Sequence, residues 1–264
     1  MKKLILTILA GSFLLSCSTD SSNDDSNNPS SNGLLVKTII NGAGTSTFNY
    51  NGNKLVNALS SDGTTTAFTY NGDLIIKDEN VNGFDISNYS NNLLVSNSSN
   101  WNSNNTSSTF YSTYTYNSDG SITEINTGTS TYSGNTTSSS HKFVRFYSQG
   151  NCVKEDSYSS INGVMTLTGT TLSTFDNNNS PYKNITGFYT WQNPQGYSVN
   201  NEINRTHKDA SGVITRTVQT TYQYNSQNYP ISGTTTTTNY TINPQTGSST
   251  PGTPSVSNGT FTYY

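Results

Sequence analysis

The chain predicts an all-β fold: an antiparallel up-and-down meander of many short hairpins, curled or barrel-like, with almost no helix beyond its first residues. Three observations carry this. The stretch Phe48-Asn-Tyr50-Asn51-Gly52-Asn53-Lys54-Leu55-Val56 recurs as Phe68-Thr-Tyr70-Asn71-Gly72-Asp73-Leu74-Ile75. Turn signals return roughly every ten residues from Gly33 onward, the spacing of a sandwich or barrel. No segment repeats apolar residues at i, i+3, i+4 and i+7 over three turns, as an amphipathic helix would.

Each copy of the repeat reads as strand, turn, strand. Two aromatics at i and i+2 share one face of a strand. Asn and Gly tolerate positive φ, which a tight type I′ hairpin turn requires. Asn88-Tyr89-Ser90-Asn91-Asn92-Leu93-Leu94-Val95 is a third copy, one residue out of step. The Tyr-x-Tyr-Asn signature occupies roughly every second turn, as at Tyr222-Gln-Tyr224-Asn225, which puts signature turns at one end of the sheet and plainer turns at the other. The polar stretch 96–108, with Trp101 near its middle, is expected to be a long loop. Pro194 and Pro244 fall in turns, where a missing N–H is harmless. Phe261-Thr-Tyr263-Tyr264 closes the chain as a strand held by a neighbour.

The count comes to about sixteen or seventeen strands, and a sheet that wide curls, splits or flattens. Curling into a barrel removes its edges. Phe48, Tyr50, Phe68, Tyr70, Tyr114 and Tyr116 are the expected core, since buried rings remove about 150–250 Å² each and let a chain of low apolar content hold together. The opposite face carries Thr45, Thr47 and Asn49 and wants water. A membrane-spanning barrel would need an apolar band about 25 Å tall there.

The amino terminus has its own logic. Met1-Lys2-Lys3 is a basic start, and Leu4 to Leu15 is a mostly apolar run too short to span a bilayer as a helix. It ends in Leu14-Leu15-Ser16-Cys17, which resembles the lipobox of bacterial lipoproteins. The resemblance implies that residues 1–16 are a signal peptide and that Cys17 is acylated as the first mature residue. Residues 18–32 hold Ser, Asn, Asp and one Pro with no apolar residue, so 17–32 reads as the lipidated Cys and a disordered tether. Asp20, Asp24 and Asp25 make it acidic, as in a surface-export signal or a merely solvated linker. Residues 33–264 form the hairpin-repeat domain.

Tyr114-Thr-Tyr116-Asn117-Ser118-Asp119-Gly120-Ser121-Ile122 resembles a YD repeat, the hairpin unit of Rhs-type surface and toxin-shell proteins. Asn117 stands where that family has Asp, and Ser121 where it has Arg. The repeats also resemble lipoproteins whose domain is described as porin-like, a many-stranded antiparallel meander.

Charge is sparse, with 12 Lys+Arg against 15 Asp+Glu and a net charge of −3, so the basic footprint of a nucleic-acid binder is absent. With Cys17 lipidated, Cys152 lacks an intrachain partner and reads as a buried structural thiol. Asp78-Glu79 and Glu155-Asp156 are adjacent acids, which a strand points to opposite faces. His141 and His207 lack metal-ligand spacing to each other or to Cys152. Asn117-x-Asp119-Gly120 lacks the carboxylate run of a calcium loop and reads as a hairpin turn. No catalytic residue, metal site or cofactor is expected. Trp101, Trp191, Tyr189 and Tyr197 are the candidate ligand-binding residues, because exposed rings amid Asn and Thr stack on sugars; core packing is the competing role for Trp191. The expected protein is non-catalytic and held in the outer membrane by lipid, facing the periplasm or the surface. It binds a glycan, a peptide or another envelope component. The alternatives are a structural or adhesion element of YD-repeat type and, behind it, a glycoside-processing enzyme.

Overall fold

A computed structural model describes residues 33–264 except Ala43, Asn104 and Pro244. The leader, Cys17, the tether and the Pro244 position therefore lie outside the described residues. The strands are β1 (Val36–Asn41), β2 (Gly44–Asn51), β3 (Lys54–Ser60), β4 (Thr65–Asn71), β5 (Leu74–Asn80) and β6 (Gly83–Ser90). Longer ones follow: β7 (Leu93–Ser103), β8 (Thr106–Tyr116), β9 (Ile122–Tyr132), β10 (Asn135–Ser148), β11 (Asn151–Ile161) and β12 (Val164–Phe175). A single α-helical turn, α1 (Phe188–Gln192), precedes β13 (Glu202–Asp209), β14 (Ile214–Tyr224), β15 (Pro230–Ile242), β16 (Ser249–Pro251) and β17 (Ser255–Tyr263).

Each strand pairs antiparallel with the next as far as β15; β17 then pairs with both β15 and β1. The sheet is a closed barrel of 16 strands, with β16 a flap on the end of β15. Closure consumes the edges that so wide a sheet would otherwise expose. Strands β1–β6 are 6–8 residues long and β7–β12 are 11–14. At about 3.3 Å per residue one side of the wall stands higher than the other.

The expected long loop at 96–108 is instead the paired ends of β7 and β8, in register from Ser96↔Thr113 to Ser103↔Thr106. Its polarity misled because both faces of this wall are polar, so an apolar alternation never develops. The turn type is also corrected. The register pairs Asn51 with Lys54 and Asn71 with Leu74, so the two central residues are Gly52-Asn53 and Gly72-Asp73. Only the glycines have positive φ, 58° and 57°, which is the II′ pattern. The I′ pattern occurs at Asn91-Asn92, with φ of 51° and 62°.

All signature turns lie at one mouth, and the repeat has a mechanical basis there. Near the start of most odd strands one residue is a bulge without a cross-strand partner: Val56, Ile76, Val95, Val153 and Ile231. The residue just before the bulge points inward, as with Leu55, Ile75 and Leu94. A bulge leaves backbone groups unpaired, and the signature tyrosines take them. Tyr50 donates to the Val36 carbonyl at 2.8 Å, Tyr89 to Ile75 at 2.7 Å, Tyr116 to Leu94 at 3.1 Å and Tyr263 to Pro230 at 2.8 Å. The Tyr70 oxygen accepts from the Leu55 amide at 3.0 Å. The aromatic face is the inner face, as expected, and its hydroxyls are used as well as its rings.

The core sits in that same mouth. Residues 176–201, between β12 and β13, fold into the barrel as a plug. Ile185, Phe188 and Trp191 of the plug pack on Leu35, Ile39, Phe48, Leu55, Ile75 and Phe261 of the wall. Tyr182 stacks on Phe188 with centroids 4.6 Å apart, and Trp191 meets Phe68 edge-on at 5.9 Å. Gly187 has a φ of 75°, and a Cβ there would lie 2.3 Å from the Asp73 carbonyl oxygen, so only glycine lets the plug pass this close to β5.

Candidate functional site

The lumen is the candidate site, and alternation from the buried anchors decides which side chains enter it. Phe48, pairing with Ala58, faces in; Thr47, pairing with Leu59, faces out. Carried around the ring, the outer wall is mixed: Thr38, Thr47, Asn49, Lys77, Glu79, Thr109, Thr129, Lys142, Lys154, Asp156, Lys208 and Thr236 share it with Leu59, Phe84, Ile86, Tyr111, Ile125, Val144, Phe146, Tyr158 and Leu172. Adjacent acids separate as the sequence predicts: Asp78 faces in and Glu79 out beside Lys77, while Glu155 faces in and Asp156 out beside Lys154.

The plug is tied to the wall by polar bonds as well as by apolar packing. The Thr186 amide donates to the Asn53 carbonyl at 2.9 Å and Tyr70 donates to Thr186 at 3.3 Å. Tyr147 donates to the Asn193 carbonyl at 2.6 Å. Arg145, 4% exposed, pairs with Glu124 at 2.8 Å and Glu155 at 2.6 Å and donates to the Pro194 carbonyl at 3.0 Å. Burial lowers the guanidinium's affinity for its proton, but the two carboxylates more than offset this and raise it.

Beyond the plug, a buried polar belt crosses the wall from β4 to β10. It comprises Thr66, Asp78, Ser87, Asn97, Ser112, Glu124, Asn126 and Arg145. Ser112 donates to Glu124 at 2.7 Å and accepts from Asn126 at 2.7 Å; Asn97 donates to Ser87 at 3.3 Å; Ser99 donates to Asp85. Asp78 faces Asp85 across β5 and β6, and its Oδ1 is buried without a hydrogen-bond partner. Desolvation and the neighbouring Asp85 carboxylate push the Asp78 carboxyl well above the usual range. Lumen-facing residues nearer the other mouth, including Trp101, Phe110, His141, Ser159, Thr171, His207 and Arg216, are partly exposed. Lumen-facing side chains are thus buried at the plug and belt and partly exposed toward the plainer turns.

The four sequence-predicted binding residues are not brought together. Trp191 is 4% exposed and forms part of the plug core. Tyr189 and Tyr197 stand in the same segment, both edge-on to Phe188. Burial raises the Tyr189 hydroxyl to about 12. The space left among these rings is about 20 Å³, room for about one water and no sugar. Trp101 lies far up β7, opposite Gly83 and Ser108, on the lumen face toward the open mouth. Cys152 is buried as expected, and its thiol is raised to about 11, chiefly by burial. Asn117 to Ser121 closes a hairpin turn, with Ser121 donating to Asp119 at 2.6 Å. Sequence reasoning missed the plug and the inward charges. The clue was the aromatic cluster Phe188, Tyr189, Trp191, Tyr197 in a stretch without strand alternation.

No protein-family model matches the chain, and no curated protein sequence matches it. Two solved structures resemble it. A porin-like protein from Bacteroides vulgatus ATCC 8482 superposes with a TM-score of 0.57 at 12% identity, over 88% of this chain and 99% of that one. A porin-like protein from Bacteroides uniformis ATCC 8492 gives 0.47 at 12% identity, over 88% and 95%. The first likeness shows the fold: the antiparallel barrel expected from the repeats is one that a solved porin-like protein also adopts.

Proposed function

We propose that this is a non-catalytic cell-envelope protein, anchored in the outer membrane by lipid on Cys17, whose barrel is a water-filled cup that binds a polar ligand such as a glycan through its open mouth. One observation carries the reading: the plug closes one mouth of a barrel whose outer wall sets Lys77, Glu79, Lys142, Lys154, Asp156 and Lys208 among its apolar residues, so that charge interrupts any apolar band. A lipid-facing wall needs apolar side chains across the bilayer, and a conducting pore needs both mouths. The described chain begins at the plugged mouth, since β1 starts beside the end of β17. A tether from Cys17 therefore holds that mouth toward the bilayer and turns the open one away. A glycan array followed by Trp101→Ala tests the reading. Loss of binding is expected with Trp101→Ala, whereas Trp191→Ala is expected to lower stability first. Unchanged binding by a folded Trp101→Ala variant would refute a lumen site.

A second reading, a structural or adhesion element, is favoured by the rim. Val81, Tyr132, Ile161, Val164 and Val256 are the most exposed large hydrophobics among the described residues, at 52–87%, and all lie at or beside the open mouth. Such a rim suits docking onto another surface. Loss of cell attachment in a deletion strain, with no soluble ligand on the array, would favour it.

A further inference from the structure

The chain has three arginines, Arg145, Arg205 and Arg216, and the strand register turns all three into the lumen, while Lys77, Lys142, Lys154 and Lys208 face out. Two of the arginines are neutralised by the protein itself. Arg145 is held by Glu124 and Glu155, and Arg205 by Glu202 through two contacts of 2.9 and 2.5 Å. Arg216 differs. Among the described residues no carboxylate comes within 4.0 Å of it, and its Nε is buried without a hydrogen-bond partner. It lies near the start of β14, directly across from His207 on one side and Asn239 on the other, on the open side of the lumen.

His207 has a matching feature. Its Nδ1 is 3.0 Å from the Thr171 hydroxyl, while its Nε2 is buried without a partner. With Thr171 donating to Nδ1, the proton sits on Nε2, a second donor lacking an acceptor beside the first. Burial and the flanking Arg205 and Arg216 lower the ring's affinity for a proton, with Glu202 and Glu155 opposing them. A guanidinium presents a fixed planar fork that fits an oxyanion, and a buried donor without an acceptor is costly to maintain.

We propose that Arg216, with the His207 ring that Thr171 orients beside it, is an anion subsite on the cup wall that takes the carboxylate, sulfate or phosphate group of a ligand entering the open mouth. This rests on the cup reading and narrows its ligand to one carrying a negative group. Among the described residues no carboxylate pairs directly with Arg216, so a ligand's anionic group supplies the direct partner.

The test titrates the purified full chain with a dextran sulfate oligosaccharide, the uncharged dextran oligosaccharide of the same length, and inorganic sulfate. The sulfated sugar is expected to bind at least tenfold more tightly than the uncharged one, less tightly as salt rises. Arg216→Gln should remove that advantage and Arg216→Lys should keep part of it. Lys208→Gln, on the outer wall of the same hairpin, should leave it unchanged. Saturable binding of inorganic sulfate that Arg216→Gln abolishes supports the subsite with the free anion as ligand. Equal affinity for the two sugars, or an equal loss in Lys208→Gln, overturns the subsite. Uncharged dextran that still binds through Trp101 leaves the cup reading standing without it. Circular dichroism and thermal midpoints of each variant separate lost binding from lost folding.

Discussion

Tyr89 and Asp78 show how single groups set the terms in this wall. The Tyr89 hydroxyl satisfies the Ile75 carbonyl that the bulge at Ile76 sets free. Tyr89→Phe keeps the ring and leaves that acceptor unpaired, so a loss of about 1–2 kcal/mol is expected in urea unfolding. Asp78 works in the opposite sense. Its carboxyl is held above its unfolded value, so the folded chain binds the extra proton and stability falls as pH rises from about 4 through the raised value. Asp78→Asn should therefore stabilise the protein at pH 7–8 by about 1–3 kcal/mol and make little difference at pH 4. His207 is lowered, so the unfolded chain binds the extra proton, and its share of stability is complete above about pH 6.5 and lost on acidification. His207→Gln should flatten the thermal midpoint between pH 7 and pH 5. An unchanged slope would count against the buried, arginine-flanked ring.

Among the elements, the plug joins more of the wall than any strand does. It touches β2, the β2–β3 turn, β4, β5 and β10 through Tyr182, Thr186, Trp191, Gly187 and Asn193. Phe188→Ala removes the ring on which Tyr182, Tyr189, Trp191 and Tyr197 converge. A loss of about 3–5 kcal/mol is expected by denaturant titration. Glu124→Gln leaves Arg145 with one carboxylate in a buried site, and breaking such a pair costs about 3–5 kcal/mol. A far smaller loss would mean that Glu155 and the Pro194 carbonyl suffice to hold the plug. The hairpins were legible in the sequence because two residues apart means one face, so Phe48 and Tyr50 could be assigned to the core at once. The ends of β7 and β8 were not: Ser, Asn and Thr facing water on the outside and a polar lumen on the inside give no period to read.

As a whole molecule, the barrel buries its apolar core at the plugged mouth, while its lumen-facing side chains nearer the plainer turns are partly exposed. Reconstituted into planar bilayers, it is expected to show no conductance; single-channel steps would overturn the cup. Cys17→Ser should release the protein from membranes into the soluble fraction, and acylation persisting in that variant would refute the anchor. The all-β class, the count of strands, the inward rings and the segregation of signature turns to one mouth all follow from the chain alone. They rest on alternation and turn chemistry, which act over a few residues. Closure was left open by those rules, because pairing Ile39 with Phe261 joins positions more than two hundred residues apart. Nor could local rules show that Trp191 fills a plug while Trp101 looks into the lumen, since both are aromatic residues among polar neighbours. Only the curvature of the closed wall, which brings residues 176–201 against strands from both halves of the chain, decides which ring is core and which arginine is left without a carboxylate.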